Sequence, residues 1–364
     1  MDTLTHALSG ALLARAVVGR SPSPLQARLT GPLLPWQAVV VGTVAAAFPD
    51  IDALAQLAGD LAYLRHHRGV THSLLMAPLW ALLLAALMRW GFASTRVRGG
   101  WKWLWPITFG GIVIHIAGDW ITQFGTMLLA PFSDARFGLG AVFIIDLVFS
   151  GLLLAGLLLA AALPRWRWPA QAGLAAVVMW VGLAWVGKQE AQAVGERHAQ
   201  AQGIAAQWIE TMPRPASPFN WTVTVFDGQR YHVAHVNTRR SAPLVLADDD
   251  NFVRRFSAVY QPAAMARWQQ VERFGNGSSQ AFVQQAWEHE AFAIYRWFAQ
   301  APALAEVLEQ DAPGGGRERC AIFRDLRFEF PGRGESPFQY GLCLREGDGA
   351  ARLVRVEDGV QRPV

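Results

Sequence analysis

Apolar residues gather into six runs in the first half of the chain, at 4–18, 33–48, 74–90, 103–129, 139–163 and 168–187, and thin out after residue 188. A helix needs roughly 20 apolar residues to cross a bilayer. By that measure the last four runs predict membrane spans, and the first two predict short or partly buried helices. Asp2 or Thr3 stands where an N-cap belongs, which places His6 in the first turn of the first helix. A Pro- and Arg-bearing loop, 19–31, follows it. Beyond 188 the pattern changes: a polar, Ala/Gln-rich helix is expected to about Glu210, then a Pro-rich linker, 212–218. Residues 221–236 alternate around Asp227-Gly228, the strongest short hairpin signal in the chain. Residues 279–309 read as an aromatic-rich helix, residues 320–330, 338–345 and 351–357 as strands, and 252–273 is ambiguous. The expectation is an all-α membrane helical bundle of four to six helices over residues 1–188, a helix and linker over 189–218, and a small α+β extramembrane domain over 219–364.

Polar groups break the apolar pattern at a few places, most densely in FPDIDALAQLAGDLAYLRHHRGVTHS, from Phe48 to Ser73. Ionisable side chains beside a membrane are costly to desolvate, so they pair, bind an ion or line a wet cavity. Asp50 and Asp52 flank one residue, so both carboxylates can reach one place from an irregular helix end. His67 and His72 flank Arg68-Gly69-Val70-Thr71, where the glycine permits a turn that brings the rings together. His115 and Asp119 are four residues apart and project from one helix face. With His6 these groups form a set of nitrogen and oxygen donors without sulfur, which suits zinc, manganese or iron and admits magnesium. Basic loops favour the cytoplasm. If the clusters Arg15/Arg20/Arg28, Arg89/Arg96/Arg98/Lys102 and Arg165/Arg167 all face it, the six segments alternate and both termini face outward. His6, Asp50, Asp52, His67, His72, Asp119 and Asp146 then fall near the outer helix ends, with His115 about one turn deeper, and the expected site is periplasmic.

Composition supports the membrane reading: 16 Trp, 20 Phe and a 16% charged fraction are unusual for a soluble enzyme. The net charge of +4 is modest and its basic residues sit in short clusters between apolar runs, which argues against a nucleic-acid partner. Cys320 and Cys343 cannot form a CxxC metal motif, and they are expected as a disulfide or as two buried thiols. No basic region precedes the first apolar run, so no removable signal peptide is expected. Several polar groups have plainer readings: His6 alone is more often a packing histidine than a ligand, Asp2, Asp60 and Asp134 suit caps or loops, and Asp146 could accept bonds from Arg136. Trp101, Trp103 and Trp105 suit an interfacial belt.

A divalent ion held by these groups lowers the pKa of a coordinated water and polarises a phosphoryl or carbonyl oxygen, so hydrolysis is the expected reaction. Asp52 or Asp119 is the candidate general base, and Arg68 or Arg136 the candidate phosphate holder. In order, MDTLTHALSGALLARA, FPDID, HHRGVTHSLL, HIAGDWITQFGTMLLAPFSDARFG and FIIDLVF resemble the YdjM-like family of bacterial inner-membrane, metal-dependent hydrolases, over roughly residues 1–150. SPFNWTVTVFDGQRYHVAHV and FRDLRFEFP look like the polar extension of longer members. The resemblance implies metal binding by His6, Asp50, Asp52, His67, His72, His115 and Asp119. More distantly, the helical His/Asp set looks similar to zinc-dependent phospholipase C and the single-strand-specific zinc nucleases, which makes a phosphoester, soluble or lipid-linked, the expected substrate. Two departures stand out: Leu147 where the family has proline, and His66 added before the HRGxTHS pattern. The rival readings are a divalent-ion transporter, against which the apolar inner halves 79–87 and 152–162 argue, and a scaffold braced by a closed metal site.

Overall fold

A computed structural model describes residues 1–18, 33–92, 100–313, 315–331, 336–357 and 359–364. Arg20, Arg28, Arg96 and Arg98, on which the charge-based topology partly rests, lie outside the described residues. The chain divides into two compact units. One comprises Met1–Leu54, His66–Gly187 and Pro213–Pro218; the other comprises Ala55–Arg65, Lys188–Met212 and Phe219–Val364.

The N-terminal half is helical, with α1 (Thr3–Val17), α2 (Pro35–Ala47) continued by a 3-10 helix (Phe48–Ala58), α3 (Asp60–His66), α4 (Ala77–Gly91), α5 (Trp101–Trp120), α6 (Leu147–Ala162) and α7 (Trp168–Gln202). Among the described residues two helices are long and apolar enough to cross a membrane, Pro35–Ala58 and Trp168–Gln202. A third is added if Asp60–His72 and Ala77–Gly91, bent by 79° at their junction, count as one broken span. This corrects the expected distribution of spans. The run 33–48 belongs to a 24-residue helix, because the chain stays helical past Pro49 by tightening into 3-10 geometry, where the missing proline N–H removes one regular helical bond. The run 103–129 is helical only to Trp120, since the N–H groups of Leu139 and Ala141 fold back onto the carbonyls of Trp120 and Ile121 at 2.6 and 2.9 Å. The run 139–163 becomes helical only at Leu147, where the Asp146 carboxylate caps α6 by accepting from the N–H groups of Val148 and Phe149, both at 2.9 Å. Trp180 also donates to Asp146, at 2.9 Å. The carboxylate is thus a helix cap, and Leu147 stands at the first helical position.

Small residues bring the helices close, which is how membrane helices pack without a hydrophobic driving force between them. A Cβ on Gly10 would lie 2.2 Å from the Gly42 carbonyl oxygen, one on Gly42 2.3 Å from that of Gly10, and one on Gly111 2.7 Å from Ala45 Cβ. These glycines lie one helical turn from His6, Ala46 and His115. At the opposite end of α1, the buried Arg15 donates to the carbonyls of Pro164 and Trp166 at 2.9 and 3.0 Å, so the first and third basic clusters meet.

The C-terminal half is rich in β-sheet. One five-stranded sheet runs β1 (Trp208–Pro213), β2 (Asn220–Phe226), β3 (Arg230–Asn237) and β4 (Gln261–Pro262), with β5 (Gln269–Glu272) also paired to β3. The β2–β3 hairpin turns at Asp227-Gly228-Gln229, where Gly228 adopts φ 103° and Asp227 Oδ1 accepts from the N–H groups of Gln229 and Arg230. The second sheet is a meander of β6 (Pro302–Asp311), β7 (Arg317–Asp325), β8 (Gln339–Arg345), β9 (Ala351–Glu357) and β10 (Val360–Pro363). The expected helix over 279–309 ends at Phe298, and 302–309 is the edge strand β6. Its Ala, Leu and Glu residues favour helix locally, but pairing with β7, with a register shift between Leu304 and Glu306, overrides that preference. The expected linker 212–218 begins inside β1. Cys320 and Cys343 stand opposite one another on β7 and β8 and form a disulfide.

Candidate metal centre

Three helices and one turn deliver the polar groups to one place. α1 contributes His6 from its first turn, positioned by the Asp2 N-cap, which accepts from Thr5 N at 3.0 Å. α5 contributes His115 and Asp119 from one face at its C-terminal end. The 3-10 helix contributes Asp50 and Asp52, and the short 3-10 turn Val70–His72 contributes His72. Arg68 enters that turn at φ 58°, a left-handed conformation that a non-glycine residue adopts only when its surroundings hold it there. Three contacts do so: Arg68 N donates to Asp52 Oδ2 at 2.8 Å, Arg68 O accepts from Met127 N at 2.9 Å, and its guanidinium reaches Asp119 Oδ1 and Thr122 Oγ1, both at 2.9 Å.

The hydrogen-bond network fixes the imidazole tautomers. His115 Nδ1 lies 2.5 Å from the Ala46 carbonyl oxygen, which can only accept, so Nδ1 carries the proton and Nε2 presents its lone pair. His72 Nδ1 lies 3.1 Å from Asp52 Oδ2 and 3.0 Å from Thr71 Oγ1, whose hydroxyl donates to the same carboxylate. His72 Nδ1 is therefore also the donor. With both rings neutral, their Nε2 lone pairs then face one another at 2.9 Å. Around them stand Asp119 Oδ2, 3.1 Å from His72 Nε2 and 3.6 Å from His115 Nε2, and Asp50 Oδ1, at 3.8 and 3.6 Å. Asp119 Oδ2 is buried and has no hydrogen-bond donor. Four potential ligand atoms thus converge.

These residues fit a divalent cation. A tetrahedral ion with ligands at ~2.1 Å spaces them ~3.4 Å apart, which falls in the middle of the observed separations. The histidine Nδ1 atoms are engaged by a backbone carbonyl and a carboxylate, the usual outer support of metal-ligating imidazoles. Among the described residues, His6, Asp50, His115 and Asp119 also form a group able to hold an ion together. His6 Nε2 lies 3.1 Å from Asp119 Oδ1, and its ring stacks on His115 with centroids 3.6 Å apart. The Met1 amino group ion-pairs with the same Asp119 oxygen. Asp52 and His67 stand one layer out: Asp52 accepts from His67 Nδ1 at 3.0 Å and from Arg68 N, Thr71 Oγ1 and His72 Nδ1. Arg136 Nη2 donates to the His67 carbonyl at 3.2 Å. His6, His72, His115 and Asp119 are buried, and Asp50, at 16% exposed, is the opening of the cluster.

Three participants carry no sequence signal of their own. Thr3 Oγ1 donates to Asp50 Oδ2 at 2.6 Å, Thr122 receives Arg68, and the Ala46 carbonyl sets the His115 tautomer. Only Thr71, adjacent to His72, was open to inference.

The helices and the buried His/Asp cluster define a membrane protein of the helical class with a candidate divalent-cation site. Residues 1–191 match the YdjM inner membrane protein family, and the chain belongs to that family. It is 30% identical over 147 residues to the uncharacterized protein YfhP of Bacillus subtilis (strain 168), covering 39% of this chain and 41% of that protein. No solved structure matches the chain significantly.

Proposed function

We propose that this protein is a multi-pass inner-membrane hydrolase that cleaves a phosphoester with water at a divalent metal, zinc or alternatively manganese, iron or magnesium. The observation that carries the reading is the convergence of His72 Nε2, His115 Nε2, Asp119 Oδ2 and Asp50 Oδ1, with both histidine Nδ1 atoms held as donors by Asp52 and by the Ala46 carbonyl. When bound, the ion supplies Lewis acidity toward a phosphoryl oxygen and acidifies a coordinated water. His6 abuts the cluster through Asp119 Oδ1 and serves as an additional ligand.

The chain's own groups have separable tasks. Arg68 engages Asp119 Oδ1 and so would leave Oδ2 available to a divalent ion. Asp52 orients His72 and also His67, whose partly exposed ring would be the group to take a proton from water and return it to the leaving alcohol. Asp119 and Asp50 would serve as carboxylate ligands to the ion. We place the site and the C-terminal domain on the periplasmic side of a bundle of four to six helical segments, and two features support that sidedness. Arg15 joins the basic turn at 164–166 away from the cluster, and the disulfide suits an oxidising compartment. A panel of phosphomonoester, phosphodiester and phospholipid substrates tests the activity: turnover that needs a divalent ion and disappears in His72→Ala is expected, and metal-independent turnover in that variant contradicts it.

A further inference from the structure

The surroundings of Asp50 indicate how substrate arrives. Asp50 is the one donor of the four that reaches the surface, so it marks the mouth of the site. On one side Thr3 holds its second oxygen, and the next residue, Leu4, is 70% exposed. On the other side the 3-10 helix leaves Ile51 50% and Leu54 60% exposed. A 3-10 helix repeats every three residues, so Ile51 and Leu54 lie on one face. The preceding α2 has its own exposed apolar line, Trp36, Val40 and Val44, at the four-residue spacing of an α-helix face. Both lines belong to the one apolar helix Pro35–Ala58, which therefore carries exposed hydrophobic side chains up to and past the carboxylate at the mouth.

A mouth that receives a dissolved phosphate ester is lined by groups that water can solvate. Here the flanks are large aliphatic side chains on a membrane-class helix, and such groups are stable when they face hydrocarbon. The candidate ion ligands sit at the end of that apolar path. We propose, resting on the phosphoesterase reading above, that the substrate is a membrane lipid with a phosphoester head group. It enters sideways from the bilayer, with its acyl chain along Ile51 and Leu54 and its head group at Asp50. In the reaction the water oxygen bonds to phosphorus, the P–O bond to the alcohol breaks, and the water proton passes to the departing alkoxide.

The test has two arms on full-length protein in phospholipid nanodiscs. In the first, nanodiscs contain a phosphatidylglycerol with a photoactivatable diazirine in its acyl chain, and adducts are mapped by mass spectrometry. Adducts at Ile51 and Leu54, alongside those at the exposed Val178 and Met179 of α7, are expected; labelling of α7 alone overturns the lateral path. In the second, hydrolysis of dioleoylphosphatidylglycerol and dioleoylphosphatidic acid is compared with that of bis(p-nitrophenyl) phosphate and p-nitrophenyl phosphate, for wild type and Leu54→Asn. The long-chain lipids are expected to be preferred, and the ratio of lipid to soluble kcat/KM to fall about ten-fold in the variant through lost apolar contact. Cleavage of the soluble esters with no lipid preference overturns the lipid assignment and leaves the hydrolase standing. Cleavage of none of the four defeats the hydrolase reading, and the labelling arm still decides whether lipid reaches Ile51 and Leu54.

Discussion

Asp52 is the residue on which the geometry of the cluster depends without belonging to it. Its carboxylate gathers the N–H of Arg68, the Thr71 hydroxyl and the Nδ1 atoms of His67 and His72, and so holds His72 Nε2 toward His115. Asp52→Asn keeps the shape but removes the anionic acceptor, and outer-shell changes of this kind cost about 10- to 100-fold in metal affinity. A competition titration against a chelating indicator is expected to find that loss with the helical far-UV spectrum retained. If affinity stays at the wild-type level, the supporting role of Asp52 is wrong. At this scale the sequence was informative about membership and silent about layers. The i, i+4 spacing of His115 and Asp119 and the His67-to-His72 turn bring those groups into the right neighbourhood. Nothing in FPDID distinguishes Asp50, which faces the Nε2 atoms, from Asp52, which faces the Nδ1 atoms, because that depends on which way a 3-10 helix turns each side chain.

At the level of elements, the register of α1, α2 and α5 is set by glycines one turn from the polar groups. Gly10→Val places its Cβ against the Gly42 carbonyl, a contact of 2.2 Å with backbone that cannot rotate away. Overpacking of this kind costs about 1–3 kcal/mol or more. Gly110→Ala is the matched control, since its Cβ would meet only the flexible end of Leu13 at 3.2 Å. Thermal unfolding in detergent is expected to separate them, with Gly10→Val unstable and Gly110→Ala near wild type; equal stability would show that the glycine contact does not fix the helices. Asp146→Ala removes the α6 cap and the Trp180 bond and is expected to destabilise by about 1 kcal/mol without changing bound metal. Metal loss in this variant would make Asp146 more than a cap. Helix ends were the hardest elements to read from the sequence. Apolar composition alone runs past Trp120 and starts before Leu147, because 121–129 and 139–145 are largely apolar yet non-helical. The Asp227-Gly228 hairpin was legible because its turn chemistry is local, whereas β6 was not, because its Ala, Leu and Glu residues favour helix and only pairing with β7 overrides them.

At the scale of the whole molecule, the change of composition at residue 188 foretold a helical half followed by a different half, and the structure has a helical half and a sheet-rich one. The second half is held by a disulfide on adjacent strands and by the Glu318–Arg352 ion pair beside it. Cys320→Ser with Cys343→Ser is expected to lower stability by about 2–4 kcal/mol. Thiol alkylation of the native protein is expected to modify neither cysteine, and modification of both would reject the bond. Burial pushes the Glu318 carboxyl up, but the Arg352 and Gln310 bonds outweigh it and hold the carboxyl below its ordinary value. A depressed folded value means this contribution is fully present above the unfolded value of about 4.3 and is lost as pH falls below it. The free energy of denaturant unfolding is expected to be smaller below pH 4 than at pH 7 for wild type, with Glu318→Gln reducing that pH dependence; an unchanged pH dependence in the variant would remove Glu318 as a source of it.

The proposed binding of a divalent ion by His72, His115, Asp119 and Asp50 is decided by elemental analysis of the protein, purified without chelators and compared with His72→Ala and Asp119→Ala. At least one tightly held divalent ion per wild-type chain is expected, lost in both variants while the helical spectrum remains. Wild-type protein free of metal and unable to bind any added zinc or manganese, or variants that retain wild-type metal content, would contradict it.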